Sequence, residues 1–454
     1  MRALFAQHAL LPEGWRANVR FEWDANGALT AVTEGAMHAG EAAAGLVVPG
    51  MINLHSHAFQ RALGGLTETA GEGPDSFWTW RELMYRFAHH ITPEHIEAIA
   101  AQLFSECLRH GYTSLCEFHY VQRDQHGAMY ARPAETAERV VAAARLTGMG
   151  LTMLPVLYSY AGFGEQPLTA QQQRFRTSPA DVLQVIEALA PLRSGQLEVG
   201  VAPHSLRAAS VGGIREVLAA LPPARPVHIH IAEQQAEVDQ CLSATGMRPV
   251  RYLMEQFALD QRWCLVHATH LDEAETQALA ASGAVAGLCP TTEANLGDGL
   301  FPLEPFLAGG GRFGIGSDSH VSQSPVEELR WLEYGQRLKH QRRNVATSRA
   351  QRRVGEFLWQ GALAGGALAS GRPVGALAVG KRADLLVLDS EHPNLAAIAP
   401  EDMLGTLVFS GNDNLVRHVM VGGQWVVRDH AHQAQSAIAQ RYMHTIAELR
   451  TLRT

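Results

Sequence analysis

The chain has 454 residues, 46% hydrophobic and 18% charged, with a formal net charge of −8. That length accommodates one large domain and a smaller one, and the acidic balance argues against general nucleic-acid or anionic-membrane binding. No segment is long and apolar enough to span a bilayer, and MRALFAQHALLPEGW is a poor signal peptide because its short apolar run soon meets Pro12 and Glu13.

Residues 1–48 carry short alternating pieces, NVRFEW and ALTAVTEG, that read as antiparallel strands. Eight apolar, β-rich runs follow: LVVPGMINLH near 47–56, TSLCEFHY at 113–120, GLTMLPVLYS at 150–159, LEVGVAPH at 197–204, VHIHIAE at 227–233, WCLVHATH at 263–270, AVAGLCP at 284–290 and RFGIGSDS at 312–319. They are mostly non-alternating and bounded by turn residues, as suits strands buried on both faces of a parallel sheet. The gaps carry helical patterns, such as PADVLQVIEALAPLR over 179–193. Eight β-then-α units over 49–375 predict a closed (β/α)8 TIM-like barrel. An open doubly wound sheet is the alternative, without support from a GxGxxG motif. Residues 376–430, with KRADLLVLDS, DNLVRHVMVGG and QWVVRDH, again read as antiparallel strands. Neither flank makes a good core alone, so the two are expected to meet in one small β-sandwich. Residues 431–454 read as a C-terminal helix that suits a subunit contact. The five scattered cysteines form no CxxC pair and read as reduced thiols of a cytoplasmic protein.

Six of the eight runs end in imidazole or charged groups. The first ends in His55 and His57, the second in His119 and Tyr120, the fourth in His204 with Arg207 just beyond. The fifth carries His228, His230 and Glu233, the sixth His267 and the eighth Asp318. In a barrel those ends share one mouth, where active sites form. His55 and His57 lie at i and i+2, so a strand presents both on one face. Imidazole and carboxylate without thiolate suit one divalent metal ion, zinc first. The ligands are assigned as His55, His57, His230 and Asp318. His228 faces the same way as His230; the HIAE spacing, which places a ligand and an acid at one strand end, favours His230. His267 and Asp318 then suit proton removal from water. Glu233 suits proton delivery to a leaving nitrogen, because an amine leaves poorly without one.

In order, PGMINLHSH, VHIHIAE, LVHATHL, GIGSDS and VGALAVGKRADLLVLD resemble the amidohydrolase superfamily over nearly the whole chain. Many members hold two metals bridged by a carboxylated lysine. Here Lys339 and Lys381 are the only lysines and neither lies among the eight runs, so the resemblance points to the single-metal deaminase branch. A pair bridged by Glu117 stays open. HSHAFQRALGGLTE, SFWTWRELMYRF, CEFHYV, APHSLRA, HIHIAEQ and CPTTEANLGDG are closely similar to the N-formimino-L-glutamate deiminase family. The resemblance implies hydrolysis of an N-formimino group to N-formyl-L-glutamate and ammonia in histidine degradation. It implies a small dianionic substrate, no nucleic-acid or membrane partner, and a homodimer. Two carboxylates call for arginines, which bind them with paired hydrogen bonds; Arg81 and Arg207 lie where mouth loops are expected. By the same resemblance Gln60, Tyr120 and His204 contact substrate. The rival readings are deamination of a neutral heterocycle, which Trp78 and Trp80 would suit, or a related chlorohydrolase-like reaction, and a non-catalytic barrel.

Overall fold

The computed structural model describes residues 2–69 and 76–451; Met1 and the last three residues, which belong to the predicted terminal segments, lie outside them. Eight staves form a barrel: Met51–Ser56, Tyr112–His119, Gly150–Leu157, Leu197–Val199 continued by Ala202–Pro203, Val227–Ile231, Trp263–His267, Val285–Leu288 and Arg312–Ile315. Every neighbouring pair is parallel. Ile315 opposite Asn53 joins the last stave to the first, and a bridge from Val201 to Val227 closes the fourth onto the fifth. The barrel is thus closed, and the open-sheet alternative falls.

The first three staves, and the fifth to seventh, are buried along their whole length. This is why they read as apolar runs without alternation. The fourth stave breaks at Gly200, where a Cβ would stand 2.5 Å from the Pro226 carbonyl oxygen. Only glycine lets the two strands approach that closely. The helix predicted over 179–193 covers Pro179–Leu189, with Ser178 accepting from Asp181 N–H as its cap. Pro191 cannot continue it, and the last turn tightens to a 3-10 turn over Ala190–Leu192. The helix Val354–Ser370 packs on the first and eighth staves. A methyl group at Gly365 would overlap the Phe313 carbonyl there.

The chain ends meet in one continuous eight-stranded sheet. Its order is Ala431–His432, Gln424–Arg428, Val416–Val421, Leu385–Leu388, Ala42–Pro49, Arg2–Leu11, Gly14–Trp23 and Leu29–Thr33. One pair departs from the expected antiparallel arrangement: Arg2–Leu11 runs parallel to Ala42–Pro49. The hairpin 2–23 and the strand 29–33 intervene, so the chain re-enters beside its first strand in the same direction. Leu4, Phe21, Leu385 and Met420 belong to a core separate from the barrel's. Strand Ala42–Pro49 leads across Gly50 straight into the first stave, so the sheet is bolted to the barrel.

The C-terminal helix Gln435–Thr451 packs on the chain's own helix Pro93–His110. Arg441 pairs with Glu97 at 2.6 Å and Glu448 with His95 at 3.0 Å. All five cysteines are buried and unpaired. Among the described residues no helix is long and apolar enough to cross a membrane.

Candidate metal and substrate site

His55 and His57 leave the first stave on one face, as period two requires. His230 comes from the fifth stave and Asp318 from the turn after the eighth. Their ligand atoms all lie within 4.8 Å of one another. The Nε2 atom of His230 stands 3.0 Å from that of His55 and 3.3 Å from that of His57. Asp318 Oδ1 stands 3.3 Å and 3.4 Å from the Nε2 atoms of His55 and His57. The backbone sets two of these rings. His57 Nδ1 donates to the Phe118 carbonyl at 2.9 Å, and His230 Nδ1 donates to the His204 carbonyl at 3.1 Å. With Nδ1 protonated, both Nε2 lone pairs turn inward.

Burial pushes the His55 imidazole down to about 3, and lowers His57 and His230 as well. Three neutral imidazoles converging on a carboxylate leave lone pairs facing one another, a donor set that fits a divalent cation. The turn itself is held by the first stave, since Asp318 N–H donates to the His55 carbonyl at 3.0 Å and His57 N–H to that of Asp318 at 3.3 Å.

His228 points elsewhere: its Nε2 donates to the Ala369 carbonyl at 2.8 Å, under the barrel wall. Of the two, only His230 joins the cluster with His55, His57 and Asp318. His119 also leaves the site and bonds Thr136 Oγ1 at 3.0 Å, so only Tyr120 of that run reaches the cavity. Glu117 is spent on structure, accepting from Ser56 Oγ at 2.7 Å and from Ala58 N–H at 2.8 Å. It belongs to no group of clustered ligands among the described residues, and burial pushes its carboxyl up to about 8.

Above His55, His57, His230 and Asp318 lies a cavity. His57, His230, Glu233, His267 and Asp318 line its floor; Gln60, Arg81, Tyr120, His204 and Arg207 line the rest. Every residue predicted for the site therefore faces one space, except His55, which lies fully buried beneath it. His267 Nε2 stands 3.7 Å from Asp318 Oδ2 and 3.8 Å from Glu233 Oε1. Burial disfavours its cation, but the charges of Glu233 and Asp318 and a bond to Glu293 outweigh that and raise the imidazole to about 10. Burial raises the Glu233 carboxyl to about 7.

The backbone is left-handed at Ala232, His267, Ala268, Asp318 and His320, with φ between 44° and 67°. Such conformations cost free energy in non-glycine residues and cluster at functional sites. Here they turn Glu233, His267 and Asp318 out of the strand direction and into the mouth.

The rim is arginine and aromatic. The Arg81 guanidinium lies 4.5 Å from the Trp78 ring centre and that of Arg207 lies 5.9 Å from the same ring. The Nε atoms of both arginines are buried and have no hydrogen-bond partner among the described residues. Gln60 Nε2 donates to the Tyr120 hydroxyl at 2.7 Å. Tyr85 and Tyr158, which the sequence did not mark, join at 3.2 Å between their hydroxyls and also line the cavity. Glu293, 3.3 Å from His267 Nδ1, was likewise passed over. Its one sequence signal is a carboxylate one helical turn beyond the seventh stave.

Residues 46–426 match the Amidohydrolase family, and residues 1–44 match the family described as "Formimidoylglutamate deiminase HutF, N-terminal domain". A formimidoylglutamate deiminase of Pseudomonas aeruginosa is 55% identical, covering 99% of this chain and 100% of that one. A 5-methylthioadenosine/S-adenosylhomocysteine deaminase of Natronomonas pharaonis is 29% identical over 85% of this chain and 82% of its own. A crystal structure of an amidohydrolase from Brucella melitensis superposes with a TM-score of 0.94 at 42% identity, covering 99% of this chain and 100% of that one.

Proposed function

The chain belongs to the amidohydrolase family, and from that premise we propose that its cavity performs the hydrolytic deimination of N-formimino-L-glutamate to N-formyl-L-glutamate and ammonia, a step of histidine degradation. The observation that carries this reading is the cavity's polarity. His57, His230 and Asp318 line it together with Arg81 and Arg207, whose buried Nε atoms have no hydrogen-bond partner among the described residues. A linear amidine with two carboxylates fits that layout; a neutral heterocycle leaves buried guanidinium groups unpaired, which is costly. The relative from Pseudomonas aeruginosa, matched over its full length, supports the same reaction.

His55, His57, His230 and Asp318 would hold one divalent ion, zinc first for this imidazole and carboxylate set. When bound, such an ion supplies Lewis acidity that lets water lose a proton near neutral pH. With a divalent ion held beside it, the His267 imidazole comes back down from the raised value that Glu233 and Asp318 alone give it; its Nε2, with Asp318, then takes that proton, and the water oxygen adds to the formimino carbon. Glu233, with its carboxyl near 7, gives a proton to the terminal nitrogen. The remaining hydroxyl proton passes through Glu233 to the same nitrogen, the carbon–nitrogen bond breaks, ammonia leaves as the formyl carbonyl forms, and the proton held by His267 and Asp318 restores Glu233. Arg81 and Arg207 hold the carboxylates with paired hydrogen bonds, fixing the direction from which the small reactive group meets the floor. Gln60, Tyr120 and His204 contact the substrate beside them.

On the same reading the enzyme is a cytoplasmic homodimer acting on a small dianion, with neither nucleic acid nor membrane as partner; its five buried, unpaired thiols support a reducing compartment. The deciding experiment measures ammonia release by the purified protein, with metal content determined in parallel. N-formimino-L-glutamate is offered beside N-formimino-L-aspartate, guanine and cytosine. Fast release from the glutamate compound, with about one zinc per chain, is expected. A metal-loaded protein that acts on a heterocycle instead overturns the substrate assignment.

A further inference from the structure

We propose that Glu293 is a positioning residue: it sets the orientation and tautomer of His267 and acts on the reaction only through that imidazole. The inference rests on His267 accepting a proton in the reaction proposed above.

Of the three imidazoles that line the cavity floor, those of His57, His230 and His267, only the last has an Nδ1 that meets a side chain and not a backbone carbonyl. The Nδ1 atoms of His57 and His230 each donate to a main-chain carbonyl. His267 Nδ1 meets a side chain, Glu293 Oε1, at 3.3 Å. The backbone at His267 is left-handed, with φ of 67°, so the ring does not continue the regular alternation of its strand. Its placement depends on what it touches.

Glu293 is itself firmly placed. It lies in the first turn of the helix Pro290–Leu296, which begins just past the seventh stave, beside the sixth stave that carries His267. It is 5% exposed. The oxygen that faces His267 also accepts the Cys289 N–H at 2.9 Å. The amide fixes the carboxylate, and the carboxylate accepts from Nδ1, so the Nδ1 hydrogen is specified. Nε2 is then the atom presented to Asp318 Oδ2 and Glu233 Oε1. This is the logic by which a buried carboxylate holds a catalytic histidine in the correct tautomer. Among the described residues Glu293 pairs with no arginine or lysine; its one ion-pair partner is His267. A purely architectural carboxylate would not need that neighbour.

The amide also makes the charge separable from the geometry. In Glu293→Gln the side-chain carbonyl can still sit between two donors, Cys289 N–H and His267 Nδ1–H. In Glu293→Ala nothing replaces it.

The test uses the purified, zinc-loaded protein and N-formimino-L-glutamate. Glu293→Ala is expected to lower kcat by roughly 10–100-fold, the range for removing a group that orients a functional histidine, with KM and metal content unchanged. Glu293→Gln is expected to recover most of the rate. In a His267→Asn background, adding Glu293→Ala should cost less than about twofold, because the two residues act as one unit. Losses that multiply, or a change in metal content or KM in place of kcat, overturn the proposal. A crystal structure of zinc-loaded Glu293→Ala gives a readout free of activity. A turned His267 ring supports the inference, and an unmoved ring overturns it. Failure of the wild-type protein to act on N-formimino-L-glutamate sinks the substrate assignment instead, and leaves the crystallographic arm to decide this one.

Discussion

His55, His57 and His230 stand on barrel strands, with Asp318 hydrogen-bonded to the end of one of them, whereas Arg81 stands on the helix Phe77–His90 and Arg207 in the turn after the fourth stave. The floor is fixed by main-chain geometry: carbonyls aim two rings, and the closing bridge between Ser56 and Asp318 aligns the carboxylate. The rim is fixed by side chains leaning on side chains, with both guanidinium groups against Trp78. The floor is therefore suited to holding a cation in invariant geometry. The rim is suited to selecting a substrate, because its contacts can change without disturbing the barrel.

If that division is right, substitutions at the two levels fail in different ways. The largest effect is expected from Asp318→Ala, which should remove metal and lower ammonia release by more than about 10³-fold; metal retained at full occupancy would break the division at its base. Next comes Glu233→Gln. It should keep its metal and lose roughly 10²–10⁴ in kcat, the usual range for a general acid. Arg207→Ala should also keep its metal while kcat/KM falls by about 10–100-fold, in line with about 1.5–3 kcal/mol for hydrogen bonds to a charged group. Parallel loss of metal and kcat/KM would mean that rim and floor are one unit.

A pH experiment separates the levels without mutation. The folded pKa of His55 lies near 3, below the 6.5 of an unperturbed histidine. The unfolded chain then binds more protons between those values, so this contribution to stability is complete above about pH 6.5 and is lost as pH falls. At pH 5 the loss is about 2 kcal/mol from this residue. Thermal melts of the metal-stripped protein should show a lower midpoint at pH 5 than at pH 8, and a flat profile would contradict a floor of buried neutral imidazoles. The smallest effect is expected at the rim's edge, where Tyr158→Phe removes the hydroxyl that bonds Tyr85 and Gln172. It should change KM by less than about tenfold, one neutral hydrogen bond's worth.

The same division governs what could be read from the chain. The floor was legible because strand periodicity and a barrel's shared mouth place residues from sequence position alone: His55, His57, His230, Glu233, His267 and Asp318 converge as spaced. Periodicity also has limits. It could not separate His230 from His228, whose ring finds a carbonyl on the helix Val354–Ser370, and it gave no warning that His119 turns to Thr136. Tyr85 and Tyr158, which line the cavity, and Glu293, which reaches not the cavity but His267 behind it, were missed because each comes from a helix or strand end through contacts over 26 or more positions, for which no local pattern exists. Arg81 and Arg207 were placed near the mouth by position in the chain, but their role toward substrate came from the family resemblance and not from spacing. In the terminal sheet the strands were visible, but the parallel pairing of Arg2–Leu11 with Ala42–Pro49 follows from a return path the local sequence does not encode.

That sheet imposes an order on synthesis. Strand Ala42–Pro49 must wait for Leu385–Leu388, its antiparallel neighbour, which leaves the ribosome about 340 residues later, a delay of roughly 20–70 s at 5–20 residues per second. Through that interval its outer edge offers unpaired amides and carbonyls beside an apolar face, the kind of surface on which nascent chains misassociate. The last strands thus complete the fold by covering its oldest exposed edge, and a chain stopped short of them would carry a finished set of barrel strands attached to an adhesive one.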